Sequence, residues 1–337
     1  VEAFQNGLGP WLKPIWDFKP YGESGKLLSD VAADLGGVVD EIAFVHNMVG
    51  KTGVHSQGTL LQSTGFDRPG FPAMGAWVSY GMGSMNENLP SYVVMHARTK
   101  HPEQSLFGRL WGSGFMSSQH QGVLLRSQGD PVLYLNNPTG VTREDRRAQL
   151  DALLALNKSQ QERFSDPSVL GRIKQHEMAY RMQSSVPELM DIRRESKETL
   201  EAYGASPGNS GFANNCLLAR RLAEAGVRFI QLYHRGWDHH SSLPNNMRGQ
   251  CRDVDQPTAA LLKDLKLRGL LDDTIVWWGS EFGRTPTAEN AKEADGRNHF
   301  PRGYTMWLAG GGVKPGFTYG KTNETGSKIV EDKVHVH

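Results

Sequence analysis

GVRFIQLYHRGWDHHSS, residues 226–242, is the stretch on which the reading of this chain turns. Its first half is a run of bulky apolar residues, Val227, Phe229, Ile230, Leu232 and Tyr233, the composition of a strand entering a buried sheet. The run breaks at Gly236 and presents Trp237, Asp238, His239 and His240 in succession. One carboxylate and two imidazoles at a strand end are the donor types from which metal and ligand sites are built.

Upstream, residues 212–225 read as a helix that stops at Gly226, where a left-handed cap is favoured. Downstream come a helix over about 254–268, the turn GLLDD, and a second apolar strand, TIVWWG, 274–279. Helix and strand alternate, and the strands are nearly continuously apolar. That order predicts an α/β fold around a mostly parallel sheet. Ligands in such sheets collect beyond the carboxyl ends of the strands. The second strand end delivers Ser280, Glu281, Phe282, Gly283 and Arg284. A further donor, His299, lies in GRNHF, 296–300, expected as a loop bending back over the strand ends.

Elsewhere the pattern predicts a helix over 24–35, a strand over 41–48, and a loop running into a helix over 51–66. It also predicts a helical patch over 74–81, a strand over 90–95 and irregular surface over 97–140. From 141 the chain becomes charged and poor in glycine. Leu150, Leu153, Leu154 and Leu156, then Met178, Tyr180 and Met182, recur at helical spacing. Residues 141–204 therefore read as an insertion of two or three surface helices, closed by the loop GASPGNSG, 204–211. The whole chain, 1–337, is expected to be a single domain.

The totals exclude several classes. Thirty-seven basic residues against 36 acidic ones give no argument for a nucleic-acid surface or an acidic tail. No run of eighteen apolar residues suggests a membrane span. Cys216 and Cys251 make neither a disulfide framework nor a CxxC metal pair, and read as core or semi-buried thiols.

Asp, His and Glu at neighbouring strand ends suit zinc or manganese better than calcium, which prefers oxygen donors. Each residue also has a plain structural reading: Asp238 as a helix cap or turn former, Glu281 as the partner of Arg284, His299 as a hydrogen bonder to a carbonyl. Donor types on two separate strand ends favour the metal site.

The segment VDQPTAALLKDLKLRGLLDDTIVWWGSEFG, 254–283, resembles sulfatases and their relatives in the alkaline phosphatase superfamily. HSQGTLLQSTG, 55–65, resembles the sulfatase nucleophile segment. More closely, TGVHSQ, PGFPAMGAWVSYGMGSMNENLP, CLLARRLAEAGVRFIQLYH, GWDHH, GSEFGRTP and GRNHFPRGYTMWLAGGGVK are similar to segments of the bacterial family DUF1501, over nearly all of residues 40–320.

The resemblance implies an alkaline phosphatase/sulfatase-like three-layer sandwich. It implies a metal-dependent hydrolase of phosphate or sulfate esters, acting by in-line attack on a metal-bound anion. The alternative is a non-catalytic member that binds an anionic ligand or glycan. Asp238, His240 and His299 form one metal site, with His239 as a substitute or supporting residue. Glu281 falls on a metal-binding Asp of the superfamily, and Phe282 on its His or Asn.

His55 falls at the nucleophile position, as nucleophile, ligand or acid/base group; it cannot follow the formylglycine route. Thr52 and Ser56 are neighbouring hydroxyls able to substitute. Lys51, His120 and Arg284 are candidates to hold the anion. Asn298 stands where many relatives have Asp. The expected ligand is a small-molecule or glycan ester, with no nucleic-acid partner. Family members often carry twin-arginine export signals, which implies a periplasmic or secreted protein. An N-terminal strand with an Asp ligand, and a C-terminal helix, are expected to lie outside the chain.

Overall fold

The computed structural model describes residues 9–97, 107–133, 135–164, 167–289 and 295–336. In chain order the elements are β1 (Phe18–Tyr21), β2 (Lys26–Ser29), α1 (Ala33–Gly36), β3 (Ile42–Val49), α2 (His55–Thr64), α3 (Met74–Met82), β4 (Tyr92–His96) and β5 (Val123–Leu125). Next are α4 (Arg143–Phe164), α5 (Pro167–Leu189), α6 (Lys197–Tyr203), α7 (Phe212–Glu224), β6 (Phe229–Tyr233) and α8 (Leu243–Leu267). The chain closes with β7 (Val276–Trp278), β8 (Gly283–Ala288), β9 (Arg297–Phe300), β10 (Tyr304–Ala309), β11 (Thr318–Tyr319) and β12 (Val334–His335).

The result is a mixed α/β structure. One sheet, β5-β4-β6, is wholly parallel. A second runs β11-β3-β10-β7, with β12 also on β3. There β10 is antiparallel to both β3 and β7, while β11 and β12 are parallel to β3. The two sheets share one core. Ile42 and Phe44 of β3, Val93 and Met95 of β4, and Trp307 of β10 pack with Leu217, Leu218 and Leu222 of α7 and Leu261, Leu262 and Leu265 of α8. The apolar stripes of α7 and α8 are what both sheets bury. No helix among the described residues is long and apolar enough to cross a membrane.

Most expected elements form. Residues 24–35 differ: they make β2, a short 3-10 turn and one turn of α1. Gly22 and Gly25 take positive φ of 63° and 62°. The Asp40 carboxylate accepts the N–H groups of Glu23 and Ser24 at 2.8 and 2.9 Å. That turn folds the segment back on β1 as a hairpin, which local helical spacing does not reveal.

TIVWWG also differs. Only Val276–Trp278 is strand, bonded on one side to β10. As an edge strand it leaves Ile275, Trp277 and Trp278 at 59, 38 and 37% exposure, although its apolar run reads as a buried strand. Residues 143–164, 167–189 and 197–203 are helical, as the leucine spacing predicts.

Candidate metal centre

Four side chains converge: His55, Asp238, His240 and His299, with one donor atom from each lying within 4.8 Å of the others. They arrive from three directions. β3 runs out through Gly50–Val54 into α2, whose first residue is His55. β6 runs out through His234–Trp237 to Asp238 and His240. His299 comes from β9, paired to β8 with Arg284 opposite His299. A strand, and not the expected loop, carries His299, so its ring is held by a sheet register.

Two glycines allow these pieces to close. A Cβ at Gly296 would lie 1.8 Å from the His240 carbonyl oxygen, so the start of β9 approaches the 239–241 backbone as only glycine permits. There Arg297 N–H donates to the His239 carbonyl at 3.1 Å. A Cβ at Gly58 would meet Glu281 Cβ at 3.1 Å and Phe282 at 3.2 Å, so α2 rests directly on the loop after β7. Ser242, at φ 53°, is the one non-glycine with positive φ among the described residues. Its N–H donates to the Asp295 carboxylate at 2.9 Å, and Leu243 N–H to the Asp295 carbonyl at 2.9 Å, which ties the start of α8 to the β9 approach.

The donor geometry is compact. His55 Nε2 stands 3.1 Å from Asp238 Oδ2. His240 Nε2 and His299 Nε2 stand 2.9 and 3.0 Å from Asp238 Oδ1, and 3.1 Å from each other. Tetrahedral donors around a transition dication, at the usual metal–nitrogen length, are roughly 3.3 Å apart.

The far side of every ring faces an acceptor. His55 Nδ1 meets Glu281 Oε1 at 2.7 Å, His299 Nδ1 meets the Gly53 carbonyl at 2.5 Å, and His240 Nδ1 meets the Glu289 carboxylate. A carbonyl or carboxylate accepts only, so each Nδ1 is placed to donate, and a neutral ring with its proton there turns an Nε2 lone pair toward Asp238. In that tautomer the Nε2 lone pairs point at one another and at a carboxylate, whereas in the metal-free protein a second proton on His55 faces Asp238 instead. A cation between them would convert that repulsion into ligation. His55 and His299 are mostly buried, whereas the Asp238 and His240 side chains are 41 and 37% exposed, so the centre opens to solvent on their side.

The other candidates sit around this core. Glu281 is not among the converging donors; it stands behind His55, and Ser280 Oγ donates to it at 3.2 Å. Phe282 is buried and packs its ring against His55 and His299, with centroids at 5.1 and 4.6 Å. Arg284 Nη1 donates to Asp238 Oδ1 at 2.6 Å, which puts a guanidinium at the rim. His239 is turned away, its Nε2 on the Gly236 carbonyl at 2.7 Å.

Thr52 Oγ1 accepts Val54 N–H at 3.1 Å and donates to Gln57 at 3.0 Å, and half-buried Ser56 follows His55 on α2. Lys51 is exposed just before them. His120 contacts Ser79, Gln119 and Tyr80 beside α3, not the converging residues. Asn298 is buried and caps the His299 N–H at 2.7 Å through its side-chain oxygen. Glu289 and the Gly53 carbonyl carry no sequence signal: neither belongs to a donor motif.

Charge inside the centre is strongly coupled. Burial disfavours a charged His55, but its bonds to Asp238 and Glu281 outweigh this and raise its pKa to about 9. Burial works against the Asp238 carboxylate too, yet His299, His55 and Arg284 hold it well below the usual range. Glu281 is likewise held down against its burial, chiefly by His55. Elsewhere His46 and His96 are pushed down to about 4, first by burial and then by Lys26 and Arg235 respectively.

These shifts set a pH optimum for the metal-free protein. Between about 4 and 6.5 the unfolded chain binds more protons at His46 and His96, so stability rises with pH. Between about 6.5 and 9 the folded chain binds more at His55, so its contribution, complete below 6.5, is lost as pH rises. Metal must displace that proton, so its apparent affinity is expected to climb up to about tenfold per pH unit over the upper window. Melting curves against pH, with chelator and with added zinc, check both: the chelated protein should peak near the middle of the range, and the zinc increment should grow toward pH 9.

Comparison with curated proteins returns no match. The family model described as "Protein of unknown function (DUF1501)" matches residues 2–337. The chain that builds this three-histidine, one-aspartate centre belongs to the DUF1501 family.

Proposed function

We propose that this chain is a metal-dependent hydrolase of phosphate or sulfate esters, a sulfatase-like member of the alkaline phosphatase superfamily with its three-layer sandwich. The observation that carries the metal is the approach of three Nε2 atoms and one carboxylate, each ring backed by an acceptor. The donor set is three nitrogens and one oxygen, which favours zinc or manganese over calcium. A dication held there would draw charge from an ester's non-bridging oxygens and acidify a water for attack.

The chain's own residues do the rest. α2 begins at His55 without a side-chain cap, so its first-turn N–H groups are available to an anion beside the centre. Arg284 supplies a fixed positive charge on the same rim. His55 serves as a ligand in this reading, which leaves water, Ser56 or Thr52 as the attacking oxygen. Export from the cytoplasm belongs to the same proposal.

A second reading has one observation in its favour. Four protein donors complete a tetrahedral shell, as structural sites do, whereas catalytic sites keep a position open. A non-catalytic protein binding an anion or glycan on that rim would look the same.

Elemental analysis tests the proposal. About one zinc or manganese per chain is expected, absent from the Asp238→Ala/His240→Ala double variant. Metal-loaded protein should then cleave p-nitrophenyl phosphate or p-nitrophenyl sulfate. Metal without hydrolysis of either favours the second reading, and no metal in a folded wild type overturns both the centre and the hydrolase.

A further inference from the structure

The three rings of the centre are not held equally. His299 is buried, bonded to a backbone carbonyl, and packed against Phe282 and His55. His55 is clamped between Glu281, Phe282 and His299. His240 is the most exposed, its side chain at 37% against 18 and 8% for the other two. Its ring packs on His299, with centroids at 4.9 Å. What stands behind it is Glu289, immediately after β8 and only 8% exposed. Burying a carboxylate is costly unless its charge is used. Here it faces His240 Nδ1.

The geometry points to Glu289 as the positioning residue of the metal centre: it fixes His240 in the Nδ1–H tautomer with Nε2 turned inward, so that the site takes a nitrogen-preferring transition dication. An anionic acceptor behind an imidazole also makes its other nitrogen a better donor. Calcium and magnesium, which bind oxygen, gain little from that. Glu281 plays the same part behind His55, but there ring packing shares the task. Affinity should therefore depend more on Glu289 than on Glu281. The inference rests on the metal-centre half of the proposal above and is independent of hydrolysis.

Cobalt(II) titration followed by visible absorption, with zinc competition, tests it on the purified 337-residue protein. Wild type should bind cobalt and zinc, with millimolar calcium failing to displace either. Glu289→Ala should weaken both by about 10–100-fold, with Glu289→Gln, which keeps an acceptor but no charge, in between. Glu281→Gln should cost less than Glu289→Gln. Circular dichroism establishes folding, and if the alanine variant does not fold the two glutamine variants decide. Wild-type affinity in folded Glu289→Gln and Glu289→Ala, or a larger loss at Glu281→Gln, overturns the positioning role. Calcium displacing cobalt overturns the metal class. Failure of the wild type to bind either metal is a separate result, visible before any variant is made, and overturns the centre itself.

Discussion

His55→Ala is expected to lose bound metal and any ester hydrolysis together. The substitution removes one of four donors and leaves the Glu281 carboxylate, now 2.7 Å from His55 Nδ1, facing a void. Loss of a supporting residue behind a ligand costs about 10–100-fold in affinity, and loss of the ligand itself should exceed that. The variant separates three roles that fall on one residue. A nucleophile or an acid/base group could be removed with metal content intact and turnover alone destroyed. A ligand cannot. Elemental analysis beside a hydrolysis assay distinguishes them, and a variant that keeps full metal occupancy sinks the ligand assignment. Ser56→Ala, one residue along the same helix, is the matched control and should keep its metal.

Arg220→Ala is expected to destabilise the fold by about 3–5 kcal/mol, the usual result of removing one partner from a buried ionic network. Arg220 is 3% exposed at the heart of α7. Its guanidinium reaches Glu195 at 2.6 Å, Glu224 at 2.6 Å and Asp264 at 3.0 Å. Arg221 makes a second pair with Glu195, and Tyr203 donates to Asp264 at 3.0 Å. The cluster thus joins the segment before α6, α6 itself, α7 and α8, the helices on which both sheets pack. Alanine would strand carboxylates that are only 10, 33 and 17% exposed. Urea unfolding followed by circular dichroism measures the loss. A change below about 1 kcal/mol would mean that the carboxylates rehydrate freely and the network is not structural. The cluster's ion pairs and hydrogen bonds run among Glu195, Tyr203, Glu224 and Asp264 and include none of the four converging donors. Metal stoichiometry of the folded variant should therefore be unchanged.

The sequence by itself determined the elements whose pattern is strong and local. β3, β4 and β6 follow from their apolar runs, and α2 and α7 from their periodicity, each placed within a few residues. The glycine after α7 takes the left-handed conformation expected of it, at φ 83°. Donor chemistry was also legible: Asp238 and His240 stand out at a strand end and His299 in a segment expected to bend back over it, and all three meet.

Only the tertiary structure decided which residues complete them. His55 lies on a different strand–helix connection, and its role as fourth donor appears only when α2 settles on the Glu281 loop through Gly58. His239 and His240 are adjacent and equivalent as letters, yet the turn after β6 brings one into the centre and sets the other on the Gly236 carbonyl. Glu281 looks like a ligand in sequence and becomes the support for one, while Glu289, which nothing local marks, supports another. The apolar strand TIVWWG illustrates the same limit: its residues suit a buried strand, but among the described residues only β10 pairs with it, and Trp277 and Trp278 stay partly exposed. Short-range preference selects an element's type; long-range packing selects what it touches, and a metal centre is made of contacts.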